Sequence, residues 1–465
     1  METVRPQRTR RRAAGVVVIC TAHFLIGVDG LAAAIALPAL QRDLGIAWID
    51  GQWVLSAYGL AFGGTLLLGG RLGDLYGRRR ALAWGLSVFA TGALVAGSAP
   101  GLGVLIAARV LQGLGAAAAV PAALALISSL FAPGPERTRA LSALAAMSSV
   151  GTMSGLLLGG AATDLLGWRW VFFIAAPLSA AAAVAGPRFL PEARAEDRAL
   201  RLDPLGAVLV TAALIAILFG VTRIERAGVI SAVVIGPTLA GLAAAAGFVA
   251  HERRVPSPLV RPEILRVRSL NAASLGVAAN SVAFTAIVYV GTLYLQLALK
   301  YRPLEAGVAL LPLDAVAFVV PVLGARAIAR QAPRPLLIGA FALTALALLW
   351  LARAPVPANY ATDVLGPLLV LGASLSIAFV VLTHEAVADV DPDDRGLASG
   401  VFETSSHLLG GATGVALYAT VLTATATTAG HADGYRNAFL TGVALASTGL
   451  FAAWMSRAQH RPTTR

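Results

Sequence analysis

The chain has 465 residues, of which 57% are hydrophobic and 13% charged, with a mean hydropathy of +0.77 and a formal net charge of +12. A soluble globular domain carries about 25% charged residues, so this composition excludes that class. Apolar stretches of about 20 residues, the length needed to cross a bilayer, recur along the whole chain, and the expected class is an all-α integral membrane protein.

In chain order, transmembrane helices are predicted at 14–38, 52–70, 81–99, 102–127, 139–162, 170–190, 205–222, 229–249, 271–297, 305–327, 335–352, 364–387, 398–427 and 437–456, fourteen in all. An even count puts both termini on one side. About three quarters of the 36 Lys and Arg fall in loops on that side, which marks it as cytoplasmic. The positive charge is therefore a topological signal, and nucleic-acid binding by the Arg8-to-Arg12 cluster is not expected. The basic residues are nearly all arginine and alanine is abundant, a bias of high-GC bacterial coding, so the expected location is a bacterial inner membrane. The apolar run after the basic amino terminus is too long for a signal-peptide core and reads as a retained first helix. Cys20 is the single cysteine, which rules out an intrachain disulfide.

Two charged, proline-containing linkers divide the helices as six, two and six. The expected organisation is an amino-terminal six-helix bundle (1–190), a linker (191–204), an inserted two-helix hairpin (205–250), a second linker (251–270) and a carboxy-terminal six-helix bundle with its tail (271–465). Parallel six-helix repeats of this kind are a transporter architecture.

Ionisable residues inside spans are costly, so they pair or face a polar cavity, and they mark candidate sites. Asp29 lies roughly 22 Å from the cytoplasmic end of the first span, and Arg109 roughly 10 Å from the outer end of the fourth, at 1.5 Å per residue. In a core about 30 Å thick the two share a level, and an ion pair that proton binding at Asp29 breaks is one reading; an inert structural pair is the other. Asp314 sits about 14 Å into the tenth span. Glu403 and His407 are four apart, neighbours on one helix face, and a carboxylate beside an imidazole suits either proton coupling or a buried structural pair. His23 reads as structural. Gly151, Gly155 and Gly159 recur every four residues and Gly160 follows, a stripe that lets a neighbouring helix approach closely.

Between the second and third spans runs Gly70-Arg71-Leu72-Gly73-Asp74-Leu75-Tyr76-Gly77-Arg78-Arg79-Arg80, which resembles the signature loop of the major facilitator superfamily. Further segments are similar to its fourteen-span drug:proton antiporter branch: Trp53 to Tyr58, Arg109 with Gln112 and Gly113, Trp168 to Phe173, Leu293 to Gln296, and Gly396 to Gly400. The resemblance implies a major facilitator fold and a loop, formed by Gly70, Arg71, Asp74, Gly77, Arg78 and Arg79, that latches the two bundles in one state and releases in the other. Asp29, Arg109 and Gln112 are the candidates for proton coupling or substrate handling in the first bundle, and the place of the glycine stripe matches a motif that the family associates with antiporters. Leu75 departs from the arginine usual after the aspartate, Leu156 from a proline, and Leu31 and Ala34 from a threonine and an asparagine. Glu403 and His407 stand where amides are more usual.

His384-Glu385 begins like a zinc-protease motif but lacks the second histidine, and no phosphate-binding Gly-x-x-x-x-Gly-Lys loop occurs, so neither an enzyme nor an ATP-driven pump is expected. The expected function is a monomeric secondary exporter of amphipathic toxic compounds or antibiotics, driven by protons with no metal and no other cofactor. Export of one endogenous metabolite or natural product, or a non-transporting receptor, are the alternatives. Its partners are then a small-molecule substrate, protons and the lipid bilayer.

Overall fold

The structure is a computed structural model; it describes residues 4–132, 134–192, 203–227, 230–255, 258–261, 263–391, 394–426 and 431–456. Most of the first linker and most side chains of the Arg8-to-Arg12 cluster lie outside the described residues. The described chain is helical throughout: α1 (Val4–Leu44), α2 (Trp48–Tyr76), α3 (Arg78–Gly97), α4 (Leu102–Leu130), α5 (Pro135–Leu165), α6 (Arg169–Phe189), α7 (Pro204–Ala227), α8 (Ala232–Glu252), α9 (Arg268–Ala298), α10 (Pro303–Arg330), α11 (Pro333–Ala352), α12 (Tyr360–Ala388), α13 (Arg395–Thr425) and α14 (His431–Met455).

Thirteen of these are long and apolar enough to cross a membrane. The fourteenth, α7, has 24 residues and carries the apolar stretch Pro204–Gly220 ahead of Arg223. Several helices overrun the predicted spans. α1, with 41 residues, is about 60 Å long at 1.5 Å per residue, twice the hydrocarbon thickness. Apolarity is required only where lipid is the solvent, whereas a helix continues as long as its own backbone bonds are made.

Helices α1–α6 pack among themselves, as do α9–α14. The two groups meet along two seams, α5 against α10 and α2 against α13, and α7 packs on both α2 and α13 with α8 behind it. The interior is arranged by level. At the end away from the termini a single apolar cluster runs through both groups, from Ile35, Leu37 and Phe172 to Val290, Leu310 and Phe439. At the end that carries the termini the groups keep separate cores, one around Ile19, Leu82 and Leu126 and the other around Leu270, Phe341 and Leu382.

Wide π-helical turns interrupt α9 (Ala286–Gly291 and Tyr294–Ala298), open α12 (Tyr360–Val364) and occupy the middle of α13 (Ser405–Ala412). Among the described residues all four lie in the second group. Such turns cluster at functional sites because they redirect side chains and free backbone groups.

Candidate functional site

The deepest polar assembly is in the first group. Arg109 of α4 donates from Nη1 to Asp29 Oδ2 of α1 (2.5 Å) and to Gln112 Oε1 (2.9 Å), and from Nε to the Val54 carbonyl of α2 (2.9 Å). Gln112 Nε2 closes the ring by donating to Asp29 Oδ1 (2.8 Å). The guanidinium also lies over the Tyr58 ring at 4.4 Å, a cation–π contact. All three polar side chains are buried, yet both carboxylate oxygens have donors and the cation has three acceptors. That is how a charge pair survives away from water. Gln112 joins the pair because it sits one turn from Arg109 on the same face. Tyr58 and the Val54 carbonyl have no comparable spacing signal.

The glycine stripe holds α1 in place for this contact. A Cβ at Gly151 would meet the Phe24 carbonyl at 2.5 Å, one at Gly155 the Val28 carbonyl at 2.6 Å, and one at Gly159 the Ala32 Cα at 2.5 Å. α5 therefore lies backbone-to-backbone on the face of α1 that leads to Asp29. Gly160 points elsewhere: its Cβ would meet Leu304 Cα at 2.8 Å, across the seam on α10. Gly307 returns the approach against the Leu156 carbonyl. Leu156, the departure from proline, lies in an uninterrupted helix.

Asp314 of α10 is also buried, but its Oδ2 has no hydrogen-bond partner. It lies two turns along α10 from Gly307 and so on the same face, at 3.6 residues per turn. A buried carboxyl without a cation is least costly as the neutral acid.

Glu403 and His407 project from the start of the wide turn in α13, with His407 Nε2 at 3.5 Å from Glu403 Oε2 and side chains 40% and 44% exposed for His407 and Glu403. The His407 ring meets Phe62 of α2 at 4.6 Å between centroids. Glu403 is close enough to His23 of α1 for the two to interact electrostatically. These groups thus face the first bundle from the second. The structure brings Asp29, Arg109 and Gln112 together, and separately Glu403 and His407; Asp314 stands apart from both.

The loop after α2 turns at Gly77, whose φ of +103° is one that residues with a Cβ avoid. Asp74 pairs with Arg78 at 3.1 Å within its own loop. Arg79 donates to Glu192 at 3.0 Å, just beyond α6, and Arg80 stands 3.7 Å from the same carboxylate. Arg71 reaches instead to the Pro258 carbonyl in the second linker. Gly70 only borders Pro121. Glu192 is a partner that the sequence does not single out, because a contact between residues more than a hundred apart leaves no periodic trace.

At the far end, Gln296 Nε2 of α9 donates to the Ile35 carbonyl of α1 (2.9 Å), and Arg302 Nη2 pairs with Asp164 of α5 at 3.3 Å. Both contacts cross between the two groups.

The chain as a whole is similar to known proteins. The chain is 39% identical over 416 residues to the puromycin resistance protein pur8 of Streptomyces alboniger, covering 89% of this chain and 82% of that one. It is 36% identical over 428 residues to the cephamycin export protein CmcT of Amycolatopsis lactamdurans, covering 90% and 87%. Among solved structures, a bacterial homolog of the human lysosomal transporter Spinster, in an inward-facing and occupied conformation, superposes with a TM-score of 0.68 at 15% identity, over 97% of this chain and 99% of that one. The family profile of the Major Facilitator Superfamily matches residues 19–415. With its helical membrane fold, its Gly70–Arg80 loop and these relatives, the chain belongs to the Major Facilitator Superfamily and is a multi-pass membrane transporter, not an enzyme.

Proposed function

We propose that this transporter exports antibiotics or similar amphipathic toxic compounds across the inner membrane, in exchange for protons, by alternating access. The supporting observation is the interior arranged by level: one core joins the groups at the far end and two separate cores lie at the end with the termini. A carrier that exposes a midplane site to one side at a time needs that asymmetry. The arginine-rich loops favour cytoplasmic termini, and in that orientation the end with separate cores faces the cell interior, which supports an inward-facing state ready to load. The substrate class follows from the names of the relatives, which are resistance and export proteins for puromycin and cephamycin.

Within that cycle the polar groups divide the work. Glu403 and His407, half exposed between the groups, meet the substrate. Asp314, buried with an oxygen that has no donor, carries the exchanged proton. Asp29, whose two oxygens are both engaged, braces α1 against α4 through Arg109 and Gln112. One chain suffices for the pathway, and the proton gradient is the energy source with no metal or other cofactor.

The test is uptake into everted vesicles under an imposed pH gradient, with a fluorescent cationic dye and then puromycin, cephamycin and lincomycin as competitors. Gradient-dependent uptake that at least one of the antibiotics inhibits, and that falls more than tenfold in Asp314→Asn, is expected. Uptake that is indifferent to the gradient in correctly inserted wild type would overturn proton exchange. Full coupling in Asp314→Asn would move the proton to Glu403 or Asp29, for which Glu403→Gln and Asp29→Asn are the corresponding variants.

A further inference from the structure

The hairpin α7–α8 takes no part in the mechanism above, yet its base holds the most unusual pair of acids in the described chain. Asp203, immediately before α7, and Glu252, the last residue of α8, are 4% and 5% exposed. Their outer oxygens are well supplied. Asp203 Oδ1 accepts from the Gly206 amide at 2.9 Å and stands 2.8 Å from His251 Nε2, while Glu252 Oε2 accepts from the Val260 amide at 2.8 Å. Their inner oxygens, Asp203 Oδ2 and Glu252 Oε1, are buried with no donor. Both lie against the same point: a Cβ built on Gly206 would be 2.5 Å from the first and 2.7 Å from the second. Two carboxylate oxygens do not converge on one buried spot while both carry charge.

We propose that Asp203 and Glu252 share a single proton between Asp203 Oδ2 and Glu252 Oε1, and that this proton holds the hairpin base and the second linker docked against Arg71. Arg71 reaches the Pro258 carbonyl two residues from Val260, and both acids act on it electrostatically. With the proton in place the pair carries one negative charge, matched by Arg71. When the proton leaves to water, two adjacent carboxylates face one guanidinium, and the Val260 contact on Glu252 becomes part of a repelling pair. The other charged groups at the site are His251 on α8 and Arg261 of the linker, itself paired with Asp394 ahead of α13. Burial pushes Asp203 upward, but the Gly206 amide and His251 outweigh it and hold the group below the usual carboxylate range, so Glu252 keeps the proton. Because Arg71 lies in the last turns of α2, within the Gly70–Arg80 motif, the proton ties the inserted hairpin to the segment that the resemblance makes the latch. The site lies off the midplane and is separate from Asp29, Asp314 and Glu403.

Substrate-free protein in lipid nanodiscs tests this independently of any transport assay. In an Asp314→Asn background, which removes the other buried neutral acid, infrared difference spectra across a pH titration should contain the carbonyl band of a buried protonated carboxyl, and both Glu252→Gln and Asp203→Asn should remove it. Amide exchange at Val260, corrected for intrinsic rate, should speed up about tenfold as the band disappears with both acids in place. Glu252→Gln supplies an N–H to Asp203 and a carbonyl to Val260, so it mimics the protonated pair and should keep Val260 protected at all pH values. A band that survives both substitutions would overturn the shared proton. Wild-type protection that ignores pH would overturn the link to docking.

Discussion

The two ends of the molecule are crossed by the same helices, yet they hold the two six-helix groups together in different ways. At the far end the contact is continuous: Ile35 and Leu310 belong to one core, Gly160 and Gly307 bring α5 and α10 to backbone contact, and Gln296 and Arg302 add polar ties. At the end with the termini each group has its own core, and the ties between them narrow to the α2–α13 seam, where Gly400 lies against Leu67, and to Arg71 on the Pro258 carbonyl. Asp74 is satisfied by Arg78, and Arg79 by Glu192, inside the first group. A closed end is thus built from shared apolar area and close glycine approach, and an open end from polar groups that have found partners at home. To reverse the state, the shared core must be separated and those local ion pairs must be exchanged for contacts across the gap.

The largest effect should come from a site that this comparison predicts to be neutral between states. Arg109→Ala leaves Asp29 buried without its cation, and breaking a buried pair in this way costs about 3–5 kcal/mol. Because Arg109, Asp29 and Gln112 all lie within the first group, thermal stability should fall while the balance of open ends stays unchanged. Distances between spin labels at Leu166 and Arg353 for the far end, and at Arg139 and Arg330 for the other, would measure that balance in a Cys20→Ala background. A shifted balance in Arg109→Ala would mean that the triad is part of the switch and not only a brace.

Next in size is Gly307→Leu. The side chain would collide with the Leu156 backbone across the seam, and overpacking costs about 1–3 kcal/mol. That penalty exists only while the far end is closed, so the far-end label distance should lengthen, populations should move by roughly tenfold or more, and transport should drop. Gln296→Leu removes one neutral hydrogen bond across the same end, worth about 0.5–1.5 kcal/mol, and should move the distances in the same direction by less.

How much of this was legible follows from where each contact comes from. Helix positions were readable because lipid demands an apolar stretch, and the structure extends them only where that demand ends, as in α1. That Asp29 and Arg109 share a level could be read from rise per residue, since each lies on a helix of known direction, but that α1 and α4 stand side by side there depends on the packing of the bundle. Gly151, Gly155 and Gly159 announced a close neighbour by their spacing, but that the neighbour is α1, and that Gly160 belongs to α10, depends on the packing of the bundle. The isolation of Asp314 was illegible, because lacking a partner is a property of everything around a residue. The Asp203–Glu252 pair left a faint signal that could have been used. In a hairpin of two antiparallel helices, an acid just before the first and an acid at the end of the second must lie at the same level.

The smallest expected effect is at the rim of the closed end. Arg302 is 65% exposed and its bond to Asp164 is an ion pair at the membrane surface, and such pairs contribute about 0–1 kcal/mol and are screened by salt. Arg302→Ala should therefore open the far end only slightly, by a population factor of roughly fivefold at most, and the difference from wild type should vanish in high salt. Arg302 also donates its backbone N–H to Glu305 at 2.9 Å, a cap on α10 that the alanine retains, so helix loss does not confound the reading. A large, salt-insensitive opening would place the closure of the far end in its polar rim. A small, screened one leaves that closure to the shared core and to Gly160 and Gly307, where the difference between the two ends begins.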